Sequence, residues 1–159
     1  IDWARFGKPT LIGLVTGTIA GLASITPASG SVGPIGALII GASAGSLCYL
    51  FVNIVKNNLK IDDSLDVFAV HGIGGALGII LVSFLVDSNI GGAGYADGMN
   101  AASQLSVQIK GLLAVLALSV VGTAVIAFVV KALVGLKVES SVEEDGLDIS
   151  THGETNSGS

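Results

Sequence analysis

Four apolar runs, 11–25, 35–55, 65–86 and 109–136, make up most of the chain, with short polar stretches between them. The separators read TPASGSVG, KNNLKIDD and DSNIGGAGYADGMN in chain order. Crossing the hydrocarbon core of a bilayer takes about 20 residues of helix, so the last three runs are long enough and the first is marginal. Strands of a membrane barrel would alternate polar and apolar residues over about 10 positions, and these runs do not. The pattern predicts an all-α membrane protein with helices over approximately 9–25, 34–57, 63–86 and 103–136 in a bundle spanning 1–137. From Val138 the chain changes character: ESSVEEDGLDISTHGETNSGS is acidic and polar, which predicts a water-exposed tail over 138–159.

Composition supports the same class. Of 159 residues, 51% are hydrophobic and only 12% charged, with a mean hydropathy of +0.82, whereas soluble domains carry about a quarter charged residues. The single methionine is Met99 and the chain opens at Ile1 without a basic segment and cleavage site, so a piece of a longer protein is expected. One cysteine, Cys48, excludes an internal disulfide framework and reads as a small buried hydrophobe.

The basic residues then orient the bundle. Arg5 and Lys8 precede the first run, Lys56 and Lys60 follow the second, and Lys131 and Lys137 close the fourth. Cytoplasmic flanks are enriched in Lys and Arg, and alternating crossings put all these positions on one side. The other two loops contain neither residue. The tail and the Asp62, Asp63 and Asp66 cluster are therefore expected inside, and Tyr95 outside. Lys110 is the exception, accommodated if it snorkels from an outer helix end.

Glycines add a packing signal. Gly13, Gly17 and Gly21 recur every four residues, as do Gly41 with Gly45 and Gly74 with Gly78, placing small residues on one helix face where backbones approach closely.

Against this background one residue is anomalous. A helix starting near Asp63 and rising about 1.5 Å per residue would carry His71 roughly 12 Å into the bilayer. An ionisable group at that depth usually faces a bundle interior or a pathway. Two readings stand: a neutral histidine bonded to a neighbouring helix, or a polar station in a hydrophobic conduit, where imidazole offers one donor and one acceptor to a small uncharged molecule. Val67 lies one turn before His71, with Gly74, Gly75 and Gly78 following on or near the same face. Carboxylates at a helix start suit capping, the default for Asp62 or Asp63. Asp66, a turn further in, is open between capping and pairing with another helix. HGIGGALG also imitates a dinucleotide-binding glycine turn, but membrane-length runs flank it in place of a βαβ unit, which argues against a soluble nucleotide-binding enzyme.

The run DDSLDVFAVHGIGGALG, with GKPTLIGLVTGTIAGLASITPASGSVGPIGALIIG before it and GLDISTHGE after it, resembles the C-terminal part of an ammonium transporter of the Amt/Mep/Rh family. The resemblance covers essentially the whole chain. It implies the last four helices of an eleven-helix fold, a homotrimer in the plasma membrane with one pore per subunit, and a cytoplasmic C-terminus. It further implies a hydrophobic pore lined by two histidines, of which His71 matches the second and Val67 a neighbouring lining position. Asp66 matches an acidic position with a structural role, Asp63 adds polar support, and Thr26 sits in the TPASG turn. The first histidine, the aromatic recruitment site and the gate belong to helices this chain does not contain. Ammonium or ammonia is the implied substrate, with no enzyme activity, cofactor, metal or nucleic acid. A regulatory tail is implied at Gly146, Leu147, Asp148, His152, Gly153 and Glu154, near where a PII-type signalling protein binds. Leu147 and Ile149 would dock on the helix ends; a disordered solubilising end is the alternative. The competing function is a helical membrane module for assembly or regulation without transport of its own.

Overall fold

A computed structural model describes residues 1–153. Among them the regular structure is entirely helical, and four segments are long and apolar enough to cross a membrane: Leu11–Ala28, Pro34–Asn58, Phe68–Leu85 and Ala101–Leu133. Two compact units, Ile1–Ala114 and Val115–Ser159, divide the chain.

In the first unit, a short helix α1 (Asp2–Phe6), which the apolar pattern does not mark, ends at Gly7 with a left-handed φ of 71°. Helix α2 (Leu11–Ile25) begins at Thr10, whose Oγ1 accepts from the Gly13 amide at 3.0 Å. That cap starts the helix two residues after the expected position 9. A 3₁₀ turn over Thr26–Ala28 follows, because Pro27 has no amide to continue the α ladder. Helix α3 (Pro34–Asn53) has proline in its first turn, where no intrahelical partner for its nitrogen is needed, and runs on through a π-helical turn, Ile54–Asn58.

The next helix departs most from expectation. It was expected from 63, yet Asp66 has a φ of 57° and the helix starts only after it. A π-helical turn over Phe68–Ile73 comes first and α4 (Gly74–Leu85) continues from it. Asp63 acts from outside as a cap, its two carboxylate oxygens accepting from the Val67 and Phe68 amides, each at 2.9 Å.

Helices α2, α3 and α4 pack on one another. One cluster, Ala20, Cys48 and Val70 with Ala23 against it, joins α2 and α3 to the π-helical turn; the other, Ala28, Ile40, Val82, Leu85 and Val86 with Ile25, Val32, Leu81 and Tyr95, closes the end that carries the 26–33 and 87–100 loops. These two loops are stitched together by the Ala93 amide donating to the Ser31 carbonyl at 2.9 Å. Tyr95 donates to the Ser83 carbonyl at 3.0 Å.

Helix α5 (Ala101–Leu133) starts earlier than the expected 103 because Asn100 caps it: its Oδ1 accepts from the Ala102 and Ser103 amides at 3.0 Å, while Ser103 Oγ accepts from the Asn100 amide at 2.8 Å. It stops short of 136, before Gly135 with its φ of 82°. In the second unit, a short helix α6 (Ser140–Asp145) precedes Gly146 and a π-helical turn over Asp148–His152.

Candidate functional site

The π-helical turn decides which way the residues around His71 point. The Gly74 amide bonds the Ala69 carbonyl five residues back, one more than in an α-helix. Along the inward face the buried positions run Ala69, Val70, Gly74, Gly78 and Val82, so the wide turn absorbs one residue between Ala69 and Gly74. His71 is thereby turned away from α2 and α3. Val67, Phe68, His71 and Gly72 are exposed together, with the Phe68 ring over Gly72.

This arrangement corrects one expectation. Gly74 and Gly78 do not continue the His71 face; they are the contact of α4 with α2. A methyl at Gly78 would overlap the Ser24 carbonyl oxygen, and one at Gly74 would meet Ser24 Oγ at 2.6 Å and Cys48 Sγ at 3.1 Å. Only Gly75, where nothing lies within 4 Å, has the open surroundings of the His71 side. Of the other stripes, Gly21 faces the Gly41 backbone at 4.0 Å, whereas Gly17, Gly41 and Gly45 line an open groove of about 640 Å³ between α2 and α3.

At the end of α4 nearer His71, two carboxylates divide the roles that the sequence left open. Asp63 caps. Asp66 pairs: its Oδ1 lies 2.7 Å from Lys56 Nζ, on the π-helical extension of α3. The backbone carbonyl of Asp66 also accepts from the Val70 amide at 2.8 Å. Asp62 takes a local hydrogen bond from the Ser64 hydroxyl at 3.0 Å. Lys56 was counted as a topological charge, and nothing in its local sequence marks it as the partner of a residue ten positions on.

Thr26 lies at the opposite end of the bundle, its hydroxyl donating back to the Leu22 carbonyl at 2.7 Å. The side chains of Ser24 and Ser83 are fully buried without a hydrogen-bond partner among the described residues, a feature no sequence signal indicated. In the second unit Leu147 and Ile149 are half exposed, Asp148 and His152 bound the π-helical turn, and Gly146 and Gly153 carry φ values of 92° and 68°. Glu154 lies outside the described residues. No group of three or more His, Cys, Asp or Glu among the described residues could hold a metal ion.

The family model described as Ammonium Transporter Family matches residues 1–157. An ammonium transporter of Aquifex aeolicus is 45% identical over 154 residues, 96% of this chain and 36% of the relative. Ammonium transporter Amt1 of Archaeoglobus fulgidus is 43% identical over 155 residues, covering 97% of this chain and 39% of the relative. Among solved structures, a sensor Amt protein superposes with a TM-score of 0.82 at 27% identity, over 94% of this chain and 36% of that one. The crystal structure of Saccharomyces cerevisiae Mep2 superposes with a TM-score of 0.71 at 34% identity, over 84% and 33%. The chain thus spans between a third and two-fifths of the length of these relatives.

Proposed function

The chain belongs to the Ammonium Transporter Family, and from that premise we propose that it supplies one half of a pore that conducts ammonium or ammonia across a membrane. The observation that carries the reading is the uncovered face of His71 and Val67: a histidine in a segment long and apolar enough to cross a membrane, held away from its own bundle by a π-helical turn. A histidine kept for packing would be expected among Ala20, Cys48 and Val70, where the three helices meet. An imidazole left outside that contact, on an otherwise apolar face, has its hydrogen-bonding groups free for a partner from elsewhere in the protein or for a passing molecule.

The pore would be completed by a second histidine on helices outside this chain. In that reading the chain is the C-terminal part of an eleven-helix subunit, the subunit forms a trimer in the plasma membrane, and 138–159 is a cytoplasmic tail available to a PII-type protein. The lysine distribution supports the orientation. The energetics favour a neutral passenger, because a bare cation in hydrocarbon costs far more than an uncharged molecule. Ammonium would therefore give its proton to water before the apolar section, and the histidine pair would hold the resulting ammonia by hydrogen bonds.

The test is His71→Ala in a full-length transporter carrying this segment. Loss of one hydrogen-bonding partner for a molecule in a dry site costs about 1–3 kcal/mol, so uptake should fall by about fivefold or more. Assembly should persist, since a smaller side chain on an uncovered face leaves the α2, α3 and α4 contacts intact. Unchanged uptake with unchanged selectivity would leave an assembly or regulatory module as the function.

A further inference from the structure

We propose that Lys56 is a positioning residue for His71: by pairing with Asp66 it holds the left-handed backbone from which the π-helical turn starts, and so sets the direction of the imidazole. The inference rests on the pore reading of His71.

Asp66 is the junction between two elements. Its side chain is only 14% exposed and is bound to Lys56 at 2.7 Å, on the π-helical extension of α3. Its backbone carbonyl receives the Val70 amide at 2.8 Å, a bond that ties Asp66 to the turn bearing His71. Between these attachments its φ is 57°, a conformation aspartate tolerates better than most residues but still seldom adopts. A sparsely populated backbone persists where its surroundings hold it, and here Lys56 supplies the side-chain hold.

Asp63 does not make Lys56 redundant. Its carboxylate reaches the Val67 and Phe68 amides, at the very start of the turn, and leaves the winding after them unconstrained. Further along, Gly74 and Gly78 are pinned against Ser24. The wide turn therefore lies between a start set by Asp66 and a distal part that cannot rotate. Rewinding it as an α-helix removes one residue of slack and rotates one part against the other by about 100°. Because Gly74 is fixed, the rotation falls on the His71 side. Without Lys56 a mostly buried carboxylate loses its counter-charge, and the pressure to rearrange is highest at Asp66.

The experiment is a double-mutant comparison of ammonium uptake by a full-length transporter, normalised to assembled protein in the membrane. Lys56→Ala should lower uptake by about fivefold or more in the otherwise unchanged protein, and by less than about twofold in a His71→Ala background, because residues acting through one another are not additive. Lys56→Arg, which keeps the charge, should retain most of the uptake. If Lys56→Ala fails to assemble, Lys56→Gln takes its place with the same outcomes. Equal losses in both backgrounds, or no loss in either while His71→Ala alone impairs uptake, would overturn the positioning role. Normal uptake by His71→Ala itself would instead bring down the pore reading, and the inference with it.

Discussion

A single methyl group distinguishes the glycines that pack helices from those beside the uncovered face. At Gly78 it would overlap the Ser24 carbonyl oxygen and crowd Pro27; at Gly75 it would meet nothing within 4 Å. Overpacking a closed contact costs about 1–3 kcal/mol, so Gly78→Ala should lower the thermal midpoint of a detergent-solubilised full-length transporter. Gly75→Ala should leave the midpoint nearly unchanged, because its methyl would meet nothing within 4 Å, and alter uptake instead if that open space belongs to the proposed pore. Equal destabilisation by both would mean that the two faces have been assigned wrongly. The sequence showed that glycines recur at helical spacing but not which of them would be covered. Spacing of four puts Gly74 and Gly78 together correctly, yet a regular helix also puts them near His71, and only the extra residue in the turn separates them. A cap at Asp62 or Asp63 was legible because both precede an apolar run, though not which of them makes it; the partner of Asp66 was not, because Lys56 reaches it through tertiary structure.

At the level of the element, the long helices were legible from length and apolarity, while their ends depended on local chemistry. Asn100 begins α5 two residues early by capping, and Pro27 turns the end of α2 into a 3₁₀ turn. The π-helical turns had no sequence signature: VFAVHGI has the composition of any apolar helix, and its winding follows from what lies at its two ends. Asp63 makes the start of that element testable. Asp63→Ala removes acceptors for two amides and should cost about 0.5–2 kcal/mol, with faster hydrogen exchange at Val67 and Phe68. Unchanged exchange at those two amides would show that the carboxylate is not what holds the turn's first residues.

For the molecule as a whole, the sequence motifs pointed to the family that the comparisons then showed. The chain spans 36% of the Aquifex relative, and the proposed pore, built between two structurally related halves, would need lining from both. Apolar helices alone suffice to enter a bilayer; conduction requires the complementary face. The measurement that tests this most directly is an ammonia-driven pH change in proteoliposomes, recorded for the chain alone and for the chain co-expressed with the remainder of the transporter. The account predicts no specific signal from the chain alone, and a signal from the combination that His71→Ala reduces. A specific, His71-dependent signal from the chain by itself would contradict it.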